Sequence, residues 1–90
     1  MDETTFRSNL TALGCADIRD VQWEPQRANP EHAHDFTAHV MIVEGEFTLT
    51  TPTGAPCYRA GETFSLQAGT LHQERAGPAG ARILAGRIYQ

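Results

Sequence analysis

Beyond Gly14 no stretch of this chain keeps a helical period, and turn residues recur at intervals of about seven to nine positions: Gly45, Pro52 to Gly54, Gly61, Gly69 and Gly77 to Gly80. Segments that short leave room for strands but not for helices and their loops. The pattern therefore predicts an all-β sandwich or barrel. The expected strands are Ile18–Glu24, Val40–Val43, Glu46–Thr51, Cys57–Arg59, Thr63–Leu66, Leu71–Arg75 and Ala81–Ile88, with Glu44-Gly45 as a hairpin turn between the second and third. Pro25 and Pro30 mark 25–32 as a loop or edge, because proline has no amide to give to a ladder. The one helical segment is 3–13. There Phe6, Leu10 and Leu13 form a short apolar stripe, Thr4 or Thr5 can cap the start, and Gly14 can end the helix in a left-handed conformation.

Ninety residues, 40% of them apolar, make one domain (1–90) with a single core. The net charge of −4 and the lack of any basic cluster argue against nucleic acid or an anionic membrane surface as the main partner. All seven basic residues are arginine, so Schiff-base chemistry on a lysine is excluded for this chain. No apolar run approaches the roughly 20 residues that span a bilayer. The acidic start, MDETTFRSNL, does not read as a secretory signal, so a cytoplasmic location is expected, with Cys15 and Cys57 as free thiols.

The chemistry concentrates between Glu31 and Leu49. His32 and His34 are two apart, and in an extended segment such residues share a face, roughly 7 Å apart at Cα. A closed barrel can return His72 to that pair. No spacing marks Ser8 or Ser65 as a nucleophile, and no phosphate-binding glycine loop is present.

These residues resemble the cupin superfamily. Its first motif runs Gly, five residues, His-x-His, three or four residues, Glu, six residues, Gly; its second runs Gly, five residues, Pro-x-Gly, two residues, His, three residues, Asn. His32-Ala33-His34 and Gly45 match the first, and Gly61, Gly69 and His72 match the second. Gln26 replaces the opening glycine, Gln67 the proline and Ala76 the asparagine. The resemblance covers Gln26 to Ala76 and implies a cupin jelly-roll β-barrel, often a homodimer, with a divalent metal held inside by His32, His34 and His72. Met41 and Val43 would lie on an outer apolar face that a second copy could cover.

The motif's glutamate falls on Ala38 when counted from Gly45, and His39 satisfies the longer spacing from His34. If Val40 and Ile42 face inward, so does Ala38, and His39 points out. A bulge would turn His39 in as a fourth ligand. Without a carboxylate, three imidazoles would favour Zn, Ni or Cu over Mn, with Fe also able to bind. The expected pocket lining is Phe36, Ala38, Val40, Phe47, Phe64 and Ile83. Cupins include dioxygenases, isomerases and lyases as well as sensing and storage modules. The resemblance therefore leaves two classes open: a metalloenzyme acting on a small organic molecule, and a non-catalytic small-molecule-binding or sensing module.

Overall fold

The structure, a computed structural model, describes residues 1–89; Gln90, the last residue of the expected domain, lies outside them. Helix α1 covers Glu3–Ala12. Its cap is Asp2 rather than Thr4 or Thr5: the Asp2 carboxylate accepts from the Thr5 amide at 2.7 Å. At the other end Gly14 takes φ 78, its amide donates to the Thr11 carbonyl, and the Cys15 amide donates to the Leu10 carbonyl. That pair of bonds is a Schellman motif, which requires a left-handed residue at the Gly14 position. Phe6 and Leu10 are buried. Leu13, expected in the same stripe, is exposed, and buried Cys15 fills the place beside Leu10.

Six strands follow: β1 (Asp17–Trp23), β2 (Ala28–His32), β3 (Phe36–Thr50), β4 (Cys57–Arg59), β5 (Thr63–Leu66) and β6 (His72–Tyr89). All pair antiparallel and link into one sheet, but β3 and β6 are long enough to run through two layers. In the first layer, Phe36–Ile42 of β3 lies between β5 and Ile83–Tyr89 of β6, with β1 outside β6. In the second, Phe47–Thr50 of β3 lies between β4 and Gln73–Ala76 of β6, with β2 outside β6. The layers close on each other as a jelly roll. Phe47 of the second layer meets Trp23 of the first edge-on at 5.0 Å between ring centroids.

Glu44-Gly45 and Gly77–Gly80 are thus not hairpin turns between separate strands. They are bends inside two continuous strands. The β3–β6 register slips at both places: Ile42 pairs with Ile83 but Glu44 with Arg82, and Gly45 pairs with Ala81 but Phe47 with Ala76. Each slip changes the phase of alternation. Inward residues of β3 are Phe36, Ala38, Val40 and Ile42 before the bend, then Phe47 and Leu49 after it. Gly45 (φ 79) and Gly80 (φ 82) sit back to back where the bends cross. A Cβ on Gly45 would fall on the Gly80 carbonyl oxygen, and one on Gly80 would lie 2.6 Å from the Trp23 carbonyl oxygen. A side chain at either position is blocked by backbone that cannot move aside.

The apolar run Val40-Met41-Ile42-Val43 is buried from both sides. Val40 and Ile42 join the core between the layers, while Met41 and Val43 pack under α1 with Phe6, Leu10 and Leu84. This corrects the expectation of an outer apolar face open to a second copy, because Met41 is only 3% exposed beneath the chain's own helix. Arg82 ties α1 and β1 to the sheet, donating to both carboxylate oxygens of Asp20 at 3.0 and 2.7 Å and lying 3.5 Å from Glu3. No helix among the described residues is long and apolar enough to cross a membrane.

Candidate metal centre

β2 and β6 bring the histidines together. His32, the last residue of β2, pairs directly with His72, the first residue of β6. The β2 register slips once between Asn29 and His32, where Pro30 has no amide to give, so the edge strand ends with His32 turned onto the inner face. The segment expected as loop or edge is thus an edge strand. His34 follows in the connection to β3, where the Gly69 amide donates to its carbonyl at 2.8 Å and ties it to the loop before His72. The three rings crowd one another, with centroids 4.8 Å apart for His32–His34, 4.2 Å for His32–His72 and 5.0 Å for His34–His72.

A fourth donor completes the cluster. Glu74 lies two residues beyond His72 on the same face of β6, with Oε1 3.3 Å from His32 Nε2 and 3.7 Å from His72 Nε2. One donor atom from each of His32, His34, His72 and Glu74 falls within 4.8 Å of the others. Donors bound at 2.0–2.1 Å to one tetrahedral ion sit roughly 3.3–3.4 Å apart, so small side-chain rotations bring this set onto a single ion. Glu74 corrects the expectation that the site lacks an inward carboxylate. Its signal was present in the sequence: His72-x-Glu74 has the spacing that places His32 and His34 on one face. The carboxylate comes from β6 and not from the motif position on β3.

Backbone carbonyls aim two of the imidazoles. His32 Nδ1 is 2.7 Å from the Pro30 carbonyl oxygen, and His72 Nδ1 is 2.8 Å from that of Thr70. A carbonyl oxygen only accepts, so Nδ1 carries the proton in each neutral ring and Nε2 keeps its lone pair for the cluster. His72 is 1% exposed, and its Nε2 is buried with no hydrogen-bond partner among the described residues. Such an orphan costs stability unless something accepts its lone pair. His34 stacks on Phe36 at 4.5 Å. Burial, then the neighbouring charges of His72, His32 and Arg87, holds its pKa below the usual 6.5, and Glu74 opposes the shift.

The cluster lines a cavity of about 180 Å³. Phe36, Ala38, Val40, Phe64 and Ile83 all line it. Phe47, expected there, does not; it is fully buried between Trp23 and Phe64 as core. Ala38 faces inward and His39 outward, because the β3 bulge comes after Ile42 and leaves the alternation through 38–42 intact. His39 Nδ1 meets Ser65 Oγ at 2.7 Å across the β3–β5 pair, on the α1 side of the sheet. Among the described residues no carboxylate orients the other ring nitrogen, so this is a cross-strand polar pair and not a hydrolytic dyad. Cys15 and Cys57 are free, the first buried and the second exposed.

No protein-family model matches the sequence, and no curated protein matches it. Solved structures share the fold. An RmlC-like cupin from Shewanella frigidimarina superposes with a TM-score of 0.70 at 20% identity, over 78% of this chain and 62% of its own. A cupin-2 domain containing protein from the same organism gives 0.67 at 18% identity, over 79% and 69%. KdgF from Halomonas sp. gives 0.68 at 17% identity, over 81% and 68%. The chain spans about two thirds of the length of each. Likeness at these identities concerns the fold alone.

Proposed function

We propose that this chain, a cupin by fold, is a metal-dependent protein that binds and transforms a small organic molecule, with His32, His34, His72 and Glu74 holding a divalent transition metal in the wall of the barrel cavity. The observation that carries the reading is His72 Nε2, a buried lone pair with no hydrogen-bond partner, aimed at three further donors. A bound divalent ion would act there as a Lewis acid, polarising an oxygen of a ligand or of water. His32 and His72 are held for this by their Nδ1–H bonds to the Pro30 and Thr70 carbonyls. Val40, Phe64 and Ile83 keep the inner cavity apolar and exclude water. Asn29 Nδ2 donates to Glu74 Oε1 at 3.5 Å and steadies the carboxylate.

Three imidazoles with one carboxylate make a mixed donor set that suits Zn, Fe, Ni, Cu or Mn. Glu74 restores a hard oxygen ligand, so the disfavour toward Mn expected of histidines alone is dropped. Dioxygenase-, isomerase- and lyase-like reactions all fit such a site. The second reading, a non-catalytic binding module, draws on Glu74 as well. With Glu74 bound to the ion, the described residues of the cavity lining include no other carboxylate to act as a base.

Metal analysis per folded chain tests the proposal. After reconstitution the protein should hold about one ion per chain. His72→Ala should lose most of it and His39→Ala almost none, since His39 lies on the outer face. Retention in His72→Ala with loss in His39→Ala sinks the assignment, as does a native chain that takes up none of these ions.

A further inference from the structure

Near the end of β6 the cavity wall carries a guanidinium that the metal reading does not use. Arg87 pairs with Ala38 of β3 and lines the same cavity as the histidines. It is half-buried, and its guanidinium lies 4.4 Å from the Phe36 centroid. His34 stacks on the same ring at 4.5 Å, so one aromatic ring links the guanidinium to the cluster, and its charge acts on His34. Its cross-strand neighbour on β1, Asp17, is taken by Arg19, whose Nε and NH2 group donate to the two carboxylate oxygens at 3.0 and 3.4 Å. Arg87 is left with neither an ion pair nor a side-chain hydrogen bond among the described residues. A guanidinium held over a ring face is fixed in place while its N–H donors stay free for another partner. The wall beside it carries small side chains, Ala38 and Ala85, so the cavity reaches the guanidinium. Charge points the same way. A divalent ion held by three neutral imidazoles and Glu74 would keep an excess of positive charge, and Arg87 adds to it, a combination that an anionic ligand offsets.

We propose that Arg87 receives the carboxylate of a short hydroxy or oxo acid whose second oxygen faces the histidine cluster. The paired N–H donors of one guanidinium match a carboxylate edge, and the apolar wall takes a carbon body that an inorganic anion lacks. The second oxygen is the group that a Lewis-acidic ion would polarise. The acid is short because a single ring separates its two anchors. Arg27 has no part in this. It is exposed and lies over Trp23, which pairs with β6 at Ala81, whereas Phe36 pairs with β6 at Tyr89, eight positions further along. The assignment rests on the cavity being the ligand site of the metalloprotein proposed above and narrows its ligands to organic acids.

Calorimetric titration tests it, using glycolate, lactate, 3-hydroxybutyrate and pyruvate, the primary amide of each, the unsubstituted acids acetate, propionate and butyrate, and inorganic phosphate. Both reconstituted and chelator-treated protein are titrated. The reconstituted parent should bind its best hydroxy or oxo acid more tightly than the unsubstituted acid, and chelator treatment should abolish that difference. Arg87→Gln should weaken the best acid about tenfold to hundredfold, the worth of charge-assisted hydrogen bonds, and leave its amide almost unchanged. Arg87→Lys should keep part of the acid affinity, and Arg27→Gln should alter neither ligand. Thermal melts check that each variant folds; Arg87→Met, whose stem can still pack on Phe36, replaces a glutamine variant that does not. Acid affinity untouched by the loss of Arg87 overturns the proposal, as does equal weakening of acid and amide, the mark of a structural role. So do an unsubstituted acid or phosphate binding the reconstituted protein as tightly as the best hydroxy or oxo acid, and no binding by any acid at millimolar concentration. Metal content is measured on the same samples. Arg87→Gln should keep its ion, since removing a nearby positive charge does not weaken the hold on a cation. A chain that holds no ion, yet prefers acid to amide through Arg87, sinks the metal assignment and leaves Arg87 as the carboxylate anchor. One that holds its ion and gives any of the overturning results sinks this proposal alone.

Discussion

His72→Leu separates the two roles of a buried histidine. His72 is 1% exposed, and its Nε2 has no hydrogen-bond partner among the described residues. An unsatisfied buried polar atom costs about 1–3 kcal/mol. Leucine removes that cost with a side chain of similar bulk. It also removes the Nδ1–H bond to the Thr70 carbonyl, worth about 0.5–1.5 kcal/mol. Thr70 is half-buried, so water can take up part of that loss. The balance predicts that metal-free His72→Leu is more stable than the parent by about 1 kcal/mol, which for a domain of this size raises Tm by about 4–8 °C. With free metal a thousandfold above its Kd, the parent gains about 4 kcal/mol from binding. The variant, lacking a donor, gains far less. The order of the two melting temperatures should therefore invert when metal is added. Calorimetric melts of both proteins, with chelator and with excess Zn, provide the comparison. A metal-free variant that melts below the parent refutes the orphan-atom reasoning, and a variant that keeps the full metal-dependent gain refutes the ligand assignment.

Glu74→Gln keeps the shape and removes the charge beside His32 and His72, so metal affinity should fall at least about tenfold, with Mn affected more than Cu or Zn; competition titration measures this, and unchanged affinity contradicts Glu74 as a donor. Gln26 sits at φ 61, a conformation that is strained for any residue with a Cβ, so Gln26→Gly should stabilise the protein by about 1 kcal/mol in urea unfolding, and a loss of stability would count against strain there. The lowered pKa of His34 also gives metal-free stability a pH dependence. Above about pH 6.5 both states leave this imidazole neutral and it contributes no slope; below that, the unfolded chain binds a proton that the folded one resists. Stability should therefore fall as pH drops from about 6.5 toward the lowered folded value, and His34→Gln should lose that part of the slope; identical slopes in urea titrations of the two proteins would show that His34 is not the group responsible.

The sequence by itself determined the class of fold and the inner face of the histidine segment. Turn residues at short intervals leave room only for strands, and the two-residue period of a strand puts His32 beside His34 and Ala38 inward whatever the rest of the chain does. The same period applied to His72-Gln73-Glu74 would have found the carboxylate. Gln26 shows a further constraint in local sequence: it stands where the resembling motif has glycine, and the structure holds it at a φ that glycine takes without strain.

The tertiary structure decided what depends on two segments meeting. Gly45 and Gly80 look like hairpin turns in isolation, because a positive-φ glycine serves a turn and a bulge equally well. Only the long β3–β6 pairing makes each a bend inside a continuous strand. The apolar residues Met41 and Val43 could face a second copy or the chain's own helix, and α1 packs over Met41 of β3 and Leu84 of β6. Gly86 provides the clearance for that docking, since a Cβ there would lie 2.7 Å from a Leu10 methyl. Phe47 could line the cavity or fill the core, and the phase change at the β3 bulge puts it beneath Trp23. The site itself belongs to this second kind of information. The pairing of His32 with His72 joins residues 40 positions apart in the chain, and Glu74 reaches His32 only because β2 lies beside β6. Periodicity acts along one strand and is written locally. Convergence across strands depends on register, and register is fixed only when the bulges, the core and the helix pack at once.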